Sequence, residues 1–194
     1  MVSLKAFIEI IRKLLDEGIK FTIIGDTVIL LNTKSEDVGE DIDIFVESPS
    51  ILENENFYEE IVERNNWLYG HTWLNTPRIT AIINNEEVNL DLYDNLYDFY
   101  IPESFIKNAQ RIDINGLRIR AINIEQYLVL KSYSGKEEDM LKLKEILVIL
   151  KRNKIKIDEN KIVEAARELG EESTIIRRLK EIGYLRWKIW DYLK

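Results

Sequence analysis

Two aspartates, Asp41 and Asp43, lie one residue apart in the apolar segment EDIDIFVE (40–47). Strict alternation of this kind predicts a β-strand, so both carboxylates should point to one face while Ile42 and Ile44 point to a core on the other. Two carboxylates this close repel each other, and a bound cation or the protonation of one group relieves that repulsion. Clusters that offer only oxygen ligands favour hard cations, chiefly Mg²⁺ or Mn²⁺.

A third carboxylate, Asp91, lies in the segment VNLDLYD (88–94), where Leu90 and Leu92 point the other way. If this second strand neighbours the first, Asp91 joins the pair. Three carboxylates on adjacent strands suit two metal ions about 3.5–4 Å apart, the arrangement used for in-line phosphoryl transfer. Taken singly, each of these motifs is also typical of a solvated strand face. The order of the segments, rather than any one of them, favours a metal site.

Upstream, the segment FTIIGD (21–26) predicts a strand that passes through Gly25 and Asp26 into a short helix. A glycine at this point allows backbone N–H groups to approach a phosphate, and the N-terminus of a helix attracts anions. Gly25 and Asp26 are therefore candidates for binding the phosphates of a nucleotide.

Periodicity predicts a mixed α/β region over residues 1–120 and a helical domain over residues 121–194. The first region should hold helices over 3–17, 26–32 and 50–66, strands over 20–25, 41–47, 78–84 and 86–94, and a hairpin over 111–123. Asn84-Asn85 and Asn115-Gly116 are typical of tight hairpin turns. The second region should hold helices over 124–134, 136–153, 158–169 and 171–182, followed by a last helical segment, YLRWKIWDYL.

Charge is distributed unevenly between these regions. Net charge is −8 overall, but residues 1–120 carry −11 and residues 121–194 carry +3. The negative balance argues against broad affinity for nucleic acid, although the second region could contribute some.

Composition excludes several classes of site. Cysteine is absent and His71 is the single histidine, which excludes disulfides, thiolate metal sites and multi-histidine metal sites. Neither a nucleophile elbow nor a phosphate-binding P-loop motif is present. Charges interrupt the first fifteen residues, and no apolar run reaches the roughly 18 residues of a membrane span. A soluble, cytoplasmic protein without membrane partners is expected, and abundant Lys, Glu and Ile are typical of a thermophilic source.

The motifs IIGD (23–26), EDIDIFV (40–46) and VNLDLYD together resemble the nucleotidyltransferase superfamily that includes DNA polymerase β and the kanamycin and tRNA nucleotidyltransferases. Asp41, Asp43 and Asp91 match the three carboxylates of that superfamily position by position. The segment 114–143 also resembles minimal and toxin-type members, in which a hairpin leads to a helical lysine and a charged Lys…Asp motif, here Lys131, Lys136 and Asp139.

The resemblance implies an α+β fold, with a small mixed sheet and flanking helices followed by a helical C-terminal domain. It implies transfer of a nucleoside monophosphate from an NTP to a hydroxyl, with pyrophosphate leaving. Asp41 and Asp43 would hold Mg²⁺ or Mn²⁺, and Asp91 would share the catalytic metal and help to deprotonate the acceptor. Lys131 or Lys136 would neutralise charge that develops on the triphosphate.

The resemblance leaves the acceptor open among an RNA 3′ end, a protein hydroxyl and a small molecule, and it leaves open an oligomer or a toxin–antitoxin type of protein partner. The sequence also differs from the superfamily pattern at several positions. Asp26 stands where Gly or Ser is usual, and a carboxylate there would repel a triphosphate. Asp37 and Gly39 stand where toxin-type relatives often carry Arg and Thr. A catalytically silent protein with this fold, acting as a binding or regulatory partner, is therefore the alternative.

Overall fold

A computed structural model describes residues 1–96 and 99–186 of the chain. Most of the C-terminal helical segment expected from the sequence lies outside the described residues. The chain divides into two compact units, one formed by Met1–Ile122 and the other beginning at Asn123.

The first unit is built on a mixed sheet. Its strands are β1 (Lys20–Ile23), β2 (Asp41–Ser48), β3 (Leu68–His71), β4 (Pro77–Ile83), β5 (Glu86–Tyr93), β6 (Gln110–Ile114) and β7 (Leu117–Ala121). Within the described residues these seven strands form one sheet in the order β3-β4-β5-β2-β1-β7-β6. β2 pairs with β5 and β1 with β7 in parallel, and the other pairs are antiparallel.

The helices of the first unit are α1 (Leu4–Asp16), α2 (Thr27–Asn32), α3 (Glu55–Arg64) and α4 (Glu103–Lys107). α1 packs against β4 and β5, and the side-chain hydroxyl of Ser3 caps its N-terminus by accepting from the Ala6 N–H at 3.2 Å. Its apolar stripe is fully buried, because residues three and four apart share one face of a helix. That stripe comprises Phe7, Ile10, Ile11 and Leu14.

The second unit is helical, with α5 (Ile124–Ser134), α6 (Glu137–Arg152), α7 (Glu159–Glu168) and α8 (Glu172–Ile182). α5 packs against the other three helices, and α7 also packs against α8. A capping box closes the start of α5, in which Asn123 and Gln126 exchange hydrogen bonds of 2.9 Å. Gly135 ends α5 in the left-handed conformation, with φ +65°.

The predicted elements agree with the structure except in three places. The helix expected over 50–66 is the shorter α3, and two elements, β3 and α4, have no counterpart in the prediction. In the part of the chain described by the structure, no helix has the length and apolarity required to cross a bilayer.

Candidate active site

The pairing of two central strands brings the predicted carboxylates together. β2 and β5 run parallel, with Asp43 opposite Asp91 and Asp41 opposite Asn89. Because facing residues of paired strands share one face of a sheet, the three carboxylates lie on the same face. The opposite face is core, where side chains of the same strands are fully buried: Ile42, Ile44, Leu90 and Leu92.

An arginine from the neighbouring strand joins the carboxylates. Arg78 lies on β4 directly opposite Asp91 in the antiparallel β4–β5 pair. Its Nε donates to Asp91 Oδ1 at 2.5 Å and its Nη2 to Asp91 Oδ2 at 2.7 Å. The same Nη2 reaches Asp41 Oδ2 at 3.3 Å. The guanidinium therefore donates two parallel hydrogen bonds to the Asp91 carboxylate and a third hydrogen bond to Asp41.

Asp91 is the buried member of the cluster, with a side chain that is 5% exposed, whereas Asp41 is 41% exposed. The Tyr93 hydroxyl also donates to Asp91 Oδ2, at 3.3 Å. Burial, reinforced by the charges of Asp43 and Asp91, raises the pKa of the Tyr93 phenol, so the phenol stays protonated and remains a donor. The Asp91 carboxylate thus accepts hydrogen bonds from two side chains.

Asp41 lies at the more open side of the cluster. Partial burial raises the pKa of its carboxyl, and the nearby charges of Asp91 and Glu40 act in the same direction. Arg78 acts in the opposite direction. The pKa remains raised although a guanidinium lies beside the carboxyl, because burial is the largest of these effects and disfavours the charged form.

Gly25 makes room for Asp43. It follows β1 with φ +68°, and a Cβ placed on it would lie 1.9 Å from Asp43 Oδ2. A backbone hydrogen bond also joins the two segments here, because the Ile24 N–H donates to the Asp43 carbonyl at 2.9 Å. Gly25 is therefore needed for close approach to a carboxylate.

Asp26 occupies the N-cap position of α2. Its backbone is in the right-handed helical region, and its side chain makes no capping hydrogen bond to the helix. Gly25 thus lies against the Asp43 carboxylate, and Asp26 follows it in the chain, within the same unit.

Lys131 and Lys136 belong to the second unit. Lys131 lies on α5 and pairs with Asp139 of α6, at 2.9 Å between Nζ and Oδ1. Asp139 also accepts from the Ser134 hydroxyl. Lys136 is the N-cap residue of α6. The catalytic role expected for these two lysines remains a prediction.

The donor chemistry of the cluster suits a hard divalent cation, because three carboxylates on one sheet face provide only oxygen ligands. With the side chains as they stand, Arg78 contacts both oxygens of Asp91. Across residues 1–96 and 99–186, no group of three or more acidic or histidine side chains is arranged to hold a metal ion. A metal shared by all three carboxylates therefore requires a local rearrangement of side chains.

Arg78 is a member of the cluster that the sequence interpretation missed, although the sequence carries a signal for it. A two-residue turn at Asn84-Asn85 pairs Ile83 with Glu86, and counting outward from that pair places Arg78 opposite Asp91. Both asparagines have positive φ, 53° and 65°, as the predicted tight turn requires.

Solved structures share this architecture. A nucleotidyltransferase-like antigenic protein from Paracoccidioides brasiliensis superposes with a TM-score of 0.56 at 15% identity, over 93% of this chain and 93% of its own. The antibiotic-resistance factor ANT(2″)-Ia superposes with a TM-score of 0.51 at 13% identity, over 91% of this chain and 98% of its own. These likenesses confirm the predicted α+β nucleotidyltransferase fold.

A comparison with curated protein sequences gave no match. A family model does match: the family described as "Nucleotidyl transferase of unknown function (DUF2204)" covers residues 3–181. The match spans most of the chain and includes all three carboxylates, Gly25 and Arg78. The chain therefore belongs to this family of nucleotidyl transferases.

Proposed function

We propose that this protein transfers a nucleoside monophosphate from an NTP to a hydroxyl acceptor, and that Asp41, Asp43 and Asp91 hold the Mg²⁺ or Mn²⁺ that the reaction uses. One observation carries the proposal: Asp43 and Asp91 face each other on adjacent parallel strands, with Asp41 on the same face. Membership of a nucleotidyl transferase family supports the reaction class.

In this reaction the acceptor oxygen forms a bond to the α-phosphorus, and the bond from that phosphorus to its bridging oxygen breaks, releasing pyrophosphate. The hydroxyl proton goes to a carboxylate, and Asp91 is the proposed acceptor because it faces Asp43 across the β2–β5 pair. A divalent cation held by the carboxylates would neutralise phosphate charge and orient the reacting groups. Gly25 leaves the space that the Asp43 side chain occupies, and its backbone N–H is proposed to approach a phosphate.

The proposal is tested by a transfer assay. The protein is incubated with each α-³²P-labelled NTP and Mg²⁺ or Mn²⁺, and the label incorporated into total RNA, total protein and a small-molecule extract is measured. Asp43→Asn removes a charge from the centre of the cluster with little change in shape, so transfer should fall by about a hundredfold or more. Asp16→Asn, at the exposed end of α1, is the matched control and should leave the rate unchanged. Transfer by Asp43→Asn at the wild-type rate would refute the proposed site.

A second candidate function is a catalytically silent protein that binds a partner. The carboxylate of Asp26 at the turn that should meet a phosphate favours it, since like charges near a triphosphate oppose binding. The same assay separates the two functions. A wild-type protein that neither binds nor transfers any of the four NTPs, under conditions in which it is folded, would favour the silent protein.

A further inference from the structure

Arg78 already neutralises part of the site that the proposed reaction would load with metal. Its Nη2 lies 2.7 Å from Asp91 Oδ2 and 3.3 Å from Asp41 Oδ2, so one nitrogen bridges two of the three carboxylates. Asp41 and Asp91 would also hold the Mg²⁺ of the proposed function, since this ion prefers carboxylate oxygens. The ion and the guanidinium nitrogen would need the same space and the same lone pairs, and both are positively charged.

We propose that Arg78 is an internal counter-ion that holds the carboxylate cluster together without metal, and that a divalent cation binds by displacing its guanidinium from Asp41 and Asp91. This inference rests on the proposed function, because it concerns the same metal site. It assigns Arg78 the role of a competing counter-ion: its guanidinium bridges Asp91 and Asp41, and its release accompanies loading.

Burial explains why the two cations should exchange rather than act independently. Asp91 is 5% exposed, so its charge without a partner would be strongly unfavourable in the folded chain. Arg78 is 35% exposed, so its head group has an open side through which it can leave. A site of this kind releases its arginine only when another cation takes over the carboxylate.

Charge balance leaves room for the second cation. Arg78 donates to two carboxylates, Asp91 and Asp41, and its single positive charge cannot balance both of them. A divalent ion neutralises the carboxylates more completely than the arginine does, and the displaced guanidinium then lies beside a site that binds a triphosphate. Arginine in such a position binds phosphate oxygens well, because its planar fork matches them.

The test measures Mn²⁺ affinity and thermal stability in the full chain. Arg78→Met removes the competing charge while keeping an apolar side chain of similar length. Without metal it should melt at a lower temperature than wild type, because Asp91 and Asp41 lose their counter-ion. It should bind Mn²⁺ at least about tenfold tighter by electron paramagnetic resonance titration, and saturating Mn²⁺ should raise its Tm more than that of wild type.

Arg120→Met is the matched control. Arg120 is 36% exposed and forms its own two-bond pair with a carboxylate, Glu47, at 2.7 and 2.9 Å. Its removal should lower Tm without changing Mn²⁺ affinity. Arg78→Lys keeps the positive charge but lacks the planar guanidinium. Its affinity for Mn²⁺ should lie between those of wild type and Arg78→Met.

A measurement on the wild type does not depend on any variant folding. The Arg78 Nε–H resonance, identified by its absence from Arg78→Lys or by sequential assignment, should shift when Mg²⁺ saturates the protein, because its bond to Asp91 is lost. A resonance that stays unchanged at saturation, or Mn²⁺ binding by Arg78→Met no tighter than by wild type, would overturn this inference.

The two proposals fail in different ways. If wild type binds Mg²⁺ and transfers nucleotide while Arg78 does not move, only the role of Arg78 is wrong. If neither wild type nor any Arg78 variant binds a divalent cation, the proposed metal-dependent reaction is wrong as well.

Discussion

At the scale of single residues, the candidate site depends on the lack of a side chain at Gly25 as much as on its charged residues. Gly25 has φ +68°, and its Cα faces Asp43 so closely that a Cβ would overlap Oδ2, Cγ and Cβ of the aspartate. Neither group can give way easily, since the Asp43 carbonyl accepts from Ile24 N–H and the strand is paired on both sides. The glycine therefore leaves the space that a proposed metal ligand occupies.

Gly25→Ala tests this dependence. Any L-residue with positive φ is destabilised by about 1–2 kcal/mol, and overlap with Asp43 should add about 1–3 kcal/mol. Gly116→Ala is the matched control, because Gly116 has φ +81° and a Cβ there would meet nothing within 4 Å. Urea unfolding should show the larger loss for Gly25→Ala, together with weaker Mn²⁺ binding that the control does not share. Equal losses for the two variants would mean that the contact with Asp43 is unimportant.

At the scale of elements, local pattern and turn chemistry account for what could be predicted. Alternation in β2 and β5 predicted both strands, and the asparagine turn predicted the β4–β5 hairpin. That turn also determines the register, and a slip of one residue would send Arg78 to the opposite face. Arg78 lies at the far end of β4, six residues before Asn84, so the turn alone does not reveal its place opposite Asp91.

Other features depend on contacts that no local pattern reveals. β3 has four residues, no apolar alternation and no buried side chain, so it is defined only by its pairing with β4. α4 spans five residues, too few for a periodic signal. The parallel register of β2 and β5 joins segments that are separated by two further strands and a helix. The face shared by Asp43 and Asp91 was therefore predicted only conditionally, on the assumption that the strands are neighbours.

A hydrogen-bonded link between α1 and β5 gives a prediction about pH. Glu86 begins β5 and accepts from the Ser3 backbone N–H at 2.9 Å and from the Ser3 hydroxyl at 2.8 Å, which ties the start of α1 to the sheet. Hydrogen bonds from the Ser3 backbone and then its hydroxyl lower the pKa of Glu86. The ionised carboxylate therefore stabilises the fold above the ordinary glutamate pKa of about 4.3, and this stabilisation is lost as pH falls through the lowered pKa.

Glu86→Gln should accordingly melt at a lower temperature than wild type at pH 7, because the amide oxygen is a weaker acceptor than a carboxylate. The difference in Tm should shrink as the pH is reduced below about 4. Glu53→Gln, at an exposed position between β2 and α3, is the control and should follow wild type at every pH. A difference for Glu86→Gln that is constant from pH 7 to pH 3 would show that the charge of Glu86 does not contribute.

At the scale of the whole molecule, the charge distribution opposes the substrate that the proposed site would bind. The chain carries −8, and residues 1–120, which include every proposed metal ligand, carry −11. A nucleoside triphosphate is itself an anion, even with a bound Mg²⁺. Its long-range approach is thus unfavourable, and local groups such as Arg78 and a bound cation must provide the attraction at contact.

The repulsion between the negatively charged chain and a triphosphate predicts that added salt increases the association rate. The Debye length falls from about 30 Å at 0.01 M salt to about 10 Å at 0.1 M, so added salt screens the repulsion from distant carboxylates before it weakens contacts inside the site. The association rate of a fluorescent ATP analogue with the Mg²⁺-loaded protein, measured by stopped flow, should therefore rise several-fold over this range. The uncharged parent nucleoside is the control, and its association rate should not change with salt. An association rate for the triphosphate that falls as salt increases would mean that basic groups near the site outweigh the negative field of the molecule.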